Sequence, residues 1–249
     1  MTASPAGAAA PIWRDVVGQS ETIATLTRAV SDPSAMTHAW LLTGPPGSGR
    51  SNAARAFAAA LLSPDGGESL GPEAQRALAG THESMTIMAT QKSLITIDEV
   101  RELVSQAQSA PVNAPWRVMI IEDADRMAER TSNVLLKAIE EPPPATVWIL
   151  CAPSPQDVLT TIRSRCRIVT LRIPPTEAIA ELLQRRQRLD RAGRAQGLLG
   201  RSVLHLQHLH RPLHVGETTP SELQVELGVP APWDALGLHA RLERPDLTD

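Results

Sequence analysis

The sequence predicts an α/β fold: a five-stranded parallel sheet with helices on both faces, followed by a short, poorly defined C-terminal region. Three observations carry this. Apolar runs of strand length alternate with helical patterns from Trp13 to Arg188. A glycine-rich loop follows the first of those runs and opens a helix. The chain is 42% hydrophobic over 249 residues, enough for one sizeable core and a smaller unit.

Ala39–Thr43 is a short apolar run ending in a Gly/Pro turn, so it is a buried strand. Arg50–Leu62 is an Ala/Leu-rich helix, and Ser63–Gly71 is a Pro/Gly/Ser linker. Ser84–Ala89 is the second strand. Thr96 and Glu99 have capping-box spacing and start a helix with Val100, Leu103, Val104 and Ala107 on one face. Val118–Glu122 and Val147–Cys151 are the third and fourth strands. Between them Ser132–Glu140 is a helix, stopped by Pro142, Pro143 and Pro144. Arg167–Leu171 is the fifth strand, after which Thr176 caps a helix with Ile179, Leu182 and Leu183 inward. The expected organisation is a flexible start over 1–11, an α/β domain over 12–173, the start of a helical lid over 174–188 and a divergent or disordered tail over 189–249.

Composition narrows the function. Aromatics are only 2% of residues, so the core must be aliphatic and alanine-rich. The net charge of −3 lacks the basic footprint of a stand-alone DNA binder. Arginine outnumbers lysine heavily, a bias that accompanies GC-rich genomes and is not a nucleic-acid signal in itself. Cys151 and Cys166 are too few for a disulfide framework or a four-cysteine zinc site. No stretch approaches the roughly 18 apolar residues of a membrane-spanning helix. The start of the chain lacks a basic leader, so the expected compartment is cytoplasmic. The tail carries His205, His208, His210, His214 and His239, whose spacing does not place them on one helical face; they are expected to be surface histidines, with no metal site.

In a parallel sheet the chemistry belongs at the carboxyl ends of the strands. After the first strand, Gly44-Pro45-Pro46-Gly47-Ser48-Gly49-Arg50-Ser51 is a phosphate loop in the right context, strand before and helix after. Gly44, Gly47 and Gly49 would shape the cradle, and Ser51 sits where a hydroxyl would hold Mg²⁺. The lysine that would reach the β- and γ-phosphates is replaced by Arg50, whose broad planar fork is no equal substitute for a compact ammonium. After the third strand come Glu122 and Asp123, the place where carboxylates support Mg²⁺ and orient the attacking water. Their order, Glu then Asp, is the reverse of the usual one. A solvated acidic turn capping the next helix is an equal alternative. Before the fifth strand, Arg163, Arg165 and Arg167 alternate, either as a solvated edge or with Arg165 as an arginine finger for a neighbouring subunit's γ-phosphate.

Together these segments resemble the bacterial clamp-loader family within the AAA+ ATPases, and within it the delta-prime branch in its actinobacterial form. The strings that carry the resemblance are Trp13–Gln19, Thr37–Gly47, Ala79–His82, Ile121–Met127, Asn133–Pro142 and Ile162–Cys166. The Leu-Leu-Lys…Glu-Glu-Pro and Ser-Arg-Cys strings are the most specific. The resemblance implies a non-hydrolysing member of a five-subunit assembly with gamma/tau and delta subunits, which places the sliding clamp on primer–template DNA during replication. It also implies that Arg165 reaches a neighbouring gamma/tau ATP site. Weak binding of ATP or ADP with Mg²⁺ stays open.

Two departures from the family pattern stand out. The family's four-cysteine zinc module has no counterpart in Leu61–Ala79, which contains no cysteine, so no zinc ion is expected. The region 189–249 does not look like the family's collar helices and is expected to be truncated, divergent or frame-altered. The competing expectations are an active AAA+ motor of gamma/tau type and a degenerate paralogue without a working partner.

Overall fold

The computed structural model describes residues 10–90, 92–185 and 187–188, all within one compact unit. The histidines of the tail and the expectations for 189–249 lie outside the described residues. In chain order the elements are α1 (Ser20–Ser31), β1 (Ala39–Thr43), α2 (Arg50–Leu62), α3 (Pro72–Ala79), β2 (Met85–Met88), α4 (Ile97–Ala107), β3 (Arg117–Ile121), α5 (Glu129–Glu140), β4 (Thr146–Ala152), α6 (Thr160–Arg163) and β5 (Arg167–Thr170). A further helical stretch covers 176–185. The five strands form one parallel sheet in the order β2-β3-β4-β1-β5.

Strand alternation divides the core into two layers. Trp40 and Leu42 of β1, Val118 and Ile120 of β3, and Val147, Ile149 and Cys151 of β4 face α2. Ala39, Leu41, Met119, Ile121, Trp148 and Leu150 face α4 and α5. Because β1, β3 and β4 are buried on both faces, they are continuous apolar runs, as a covered parallel sheet requires.

Helix α2 is buried almost all round, wedged between the sheet, α1 and α3. Its run of alanines loses no side-chain entropy on burial and lets the backbones approach closely. Phe57, the only phenylalanine, fills the remaining space edge-on against Trp40, with ring centroids 5.0 Å apart. At α4 the capping box forms as the spacing predicts. The Thr96 hydroxyl accepts from Glu99 N, and Glu99 Oε2 accepts from Thr96 N at 2.8 Å.

Three departures from the sequence-based elements have physical causes. α1 was not expected, because its buried face is Thr22, Leu26 and Ala29, with a single large apolar residue. α3 lies where only a linker and a cysteine-free gap were noted; it turns the small face Ala74 and Ala77 onto α2. Its end is pinned by His82, whose Nδ1 accepts from Ser84 N at 3.0 Å while Nε2 lies 2.9 Å from Glu73 Oε2. In the last described helix, Ile179 N bonds Pro175 O, so Pro175 rather than Thr176 takes the cap position. Ile179 and Leu182 are half-buried, but Leu183 points outward at 54% exposure, which corrects the expected inward face.

Candidate functional site

All strands run the same way, so the loops after β1, β3 and β4 gather on one edge of the sheet. The register places Thr43 beside Ala152 and Ile121 beside Leu150. Glu122, Asp123 and Arg50 therefore converge on the end of β4. The buried Cys151 thiol registers that convergence: burial pushes it up to about 12, Glu122 and Asp123 push the same way, and Arg50 pulls it back.

The phosphate loop keeps its backbone shape. Gly44 is required by close approach, since a Cβ there would lie 2.6 Å from Leu171 O and 2.7 Å from Ser48 Oγ. Gly47 and Gly49 take φ of +84° and +87°, the left-handed region that glycine enters at no steric cost. Gly49 is the N-cap of α2, and Ser51 lies in its first turn. Gln19, buried at the start of α1, fastens the loop from behind. Its Nε2 donates to Ser48 O at 3.2 Å and to Arg172 O, and its Oε1 accepts from Arg172 N at 3.2 Å.

The functional groups of that loop are turned inward. The Gly44 amide donates to Pro153 O at 3.1 Å, beyond the end of β4. Arg50 folds back to donate from Nη1 to Gly44 O, its own loop's carbonyl. The Glu122 carboxylate is taken by Arg55 of α2, whose Nε and Nη2 both donate to Oε1, at 3.2 and 3.0 Å. Asp123 stands apart, 4.0 Å from Arg126 of the following turn. Beside Arg55 a cavity of about 510 Å³ is lined by Arg14, Asp15, Ser51, Asn52 and Arg55 itself.

In this arrangement groups that would serve Mg²⁺ and a terminal phosphate are engaged within the chain. A carboxylate that holds a metal needs its oxygens available, and Glu122 Oε1 already accepts two guanidinium hydrogen bonds. A residue that reaches the γ-phosphate must extend along the loop, whereas Arg50 here points Nη1 back to Gly44 O. Sequence reasoning named Arg50, Ser51, Glu122 and Asp123 but missed Arg55 and Gln19. Arg55 had a signal: it is the one charged side chain in α2 beyond Arg50.

Arg165 lies away from this cluster, in the turn between α6 and β5. Its Nη1 donates to Thr161 O at 2.9 Å and to Ser164 Oγ at 3.3 Å, and its Nη2 lies 2.6 Å from Glu140 Oε1 at the end of α5. Of its neighbours in the arginine run, Arg163 donates to Pro155 O, and Arg167 bonds Ala35 O and stacks on Trp40 at 5.2 Å from the ring centroid. The Arg165 side chain, held by these contacts, remains 41% exposed.

The family model described as "DNA polymerase III, delta subunit" matches residues 18–175. The chain is 34% identical over 182 residues to the DNA polymerase III subunit delta' of Pseudomonas aeruginosa, covering 70% of this chain and 56% of that one. It is 33% identical over 184 residues to subunit gamma/tau of Mycobacterium tuberculosis, covering 70% of this chain and 31% of that one. The chain thus spans between about a third and a little over half of these relatives. Among solved structures it is similar to a DNA polymerase III gamma subunit-related protein of Thermotoga maritima, at 24% identity and TM-score 0.48, covering 62% of this chain and 46% of that one. With more than half of its length matched by the family model, the chain belongs to the DNA polymerase III delta-subunit family, a clamp-loader family of the AAA+ superfamily.

Proposed function

We propose that this chain is a non-hydrolysing, delta-prime-type subunit of the DNA polymerase III clamp loader. It acts in the cytoplasm beside gamma/tau and delta subunits, helps place the sliding clamp on primer–template DNA during replication, and offers Arg165 to a neighbouring gamma/tau ATP site. The observation that supports the proposal is that the chain's own arginines engage groups at this site, Arg55 on Glu122 Oε1 and Arg50 on Gly44 O. A clamp-loader chain whose nucleotide machinery is satisfied internally serves best as a fixed partner to an active neighbour.

The gamma/tau relatives support a second reading, an active motor. Its requirement is the opposite one: Glu122 and the residue at position 50 must be available to Mg²⁺ and phosphate. Steady-state ATPase measured on the isolated chain separates the two. Our reading expects no turnover above background, for wild type and for Arg50→Lys alike, because Arg55 still holds Glu122. A wild-type rate near roughly 1 s⁻¹, the low end of typical enzymes, decides for the motor. Co-elution with gamma/tau and delta subunits on a sizing column tests assembly, and separate elution rejects it.

A further inference from the structure

We propose that Glu140 is a latch for the Arg165 finger: it holds the guanidinium on the chain's own surface and yields it to the terminal phosphate of a nucleotide on a neighbouring subunit. The proposal rests on the finger reading above. Both terminal nitrogens of Arg165 are engaged within the chain, Nη2 by Glu140 Oε1 at 2.6 Å and Nη1 by Thr161 O at 2.9 Å and Ser164 Oγ at 3.3 Å. A finger so held must exchange at least one of these bonds before Nη1 and Nη2 can close together on a phosphate.

The surroundings explain why the latch exists and why it can open. Glu140 is the last residue of α5, with Glu141 as the cap and Pro142 beyond. A carboxylate at a helix C-terminus stands against the macrodipole, so the position favours recruitment of a cation. Thr161 O belongs to the short helix α6, so the guanidinium lies against the ends of two helices. The pair is 41% and 38% exposed, which leaves it well screened by solvent. Glu140 offers Arg165 one oxygen. A terminal phosphate offers two to the same planar fork with a larger charge, so it displaces the carboxylate once it is in reach.

The test is steady-state ATPase of the full chain reconstituted with the ATP-hydrolysing subunits, for wild type, Glu140→Gln, Glu140→Ala, Glu140→Asp, Arg165→Ala and the double variant Glu140→Gln/Arg165→Ala. An exposed ion pair is worth up to about fivefold in an equilibrium. Glu140→Gln and Glu140→Ala should therefore lower the apparent KM for ATP about two- to fivefold, with a smaller change in kcat. Glu140→Asp keeps the charge and should stay near wild type. On the Arg165→Ala background, Glu140→Gln should do nothing. Unchanged or raised KM in both charge-removing variants overturns the latch. So does an effect of Glu140→Gln that persists without Arg165, which marks a purely structural role at the end of α5. If Arg165→Ala itself has no effect, the finger reading falls and the latch with it; if Arg165→Ala is effective and Glu140→Gln is silent, the latch alone falls.

Discussion

Two arginine–glutamate pairs in this chain have the same chemistry and opposite settings. Arg55 and Glu122 meet between α2 and the end of β3, with the carboxylate only 15% exposed. Arg165 and Glu140 meet at the surface, both about two-fifths exposed. A half-buried pair is held by the cost of separating its members in a poor solvent, whereas an exposed pair exchanges partners at little cost. The inner pair is therefore the more costly to separate, and the outer pair exchanges partners the more readily.

The largest expected effect tests the outer pair. Arg165→Ala should leave folding intact, because a substitution in an exposed turn usually costs little. In the reconstituted loader it should slow clamp loading and the neighbouring ATP turnover, by up to about 10³-fold for a finger supplied in trans. Equal rates for variant and wild type in a stopped-flow loading assay remove the contrast.

The inner pair should show the reverse pattern. Arg55→Ala leaves the Glu122 carboxylate half-buried without its partner and should cost about 1–3 kcal/mol, read as a shift in the urea midpoint. Adding Glu122→Gln should restore part of that loss, since it removes the stranded charge. A single variant as stable as wild type means that Arg55 is replaceable by solvent, and the distinction between the pairs disappears.

The smallest effect is a control remote from both. The Thr96 amide and hydroxyl, with Lys92, hold the Glu99 carboxyl at about 2, below its ordinary 4.5. Because the folded value is depressed, the support of α4 by this cap is present above about 4.5 and is lost as pH falls towards about 2. Glu99→Gln should flatten the acid limb of the stability curve in that window and leave the curve at neutral pH nearly unchanged. An acid limb identical to wild type rules out the cap as its source.

Much of the scaffold was legible in the chain because burial on both sheet faces forces unbroken apolar runs such as Ala39–Leu42 and Val118–Ile121. The loop was legible because Gly44 and Gly49 stand where backbone contact and positive φ demand glycine. α1 and α3 were not, because their buried faces depend on Thr22, Ala74 and Ala77, residues that carry almost no hydrophobic signal. Leu183 misled for the opposite reason: a leucine in helical register suggested a core that the described residues do not provide at that point.

By itself the sequence determined the α/β order, the retained loop without its lysine, the acidic strand end and the candidate finger. These are local properties of strings such as Gly44–Ser51 and Ile162–Cys166, readable without knowing what lies beside them. Only the tertiary structure decided which partner each charge takes. Arg55 reaches Glu122 across 67 positions in sequence because α2 packs over the end of β3. Arg165 finds Glu140 because α5 and α6 meet. A charge advertises its chemistry in the sequence, but its partner is chosen by distance and burial, which exist only in the folded chain.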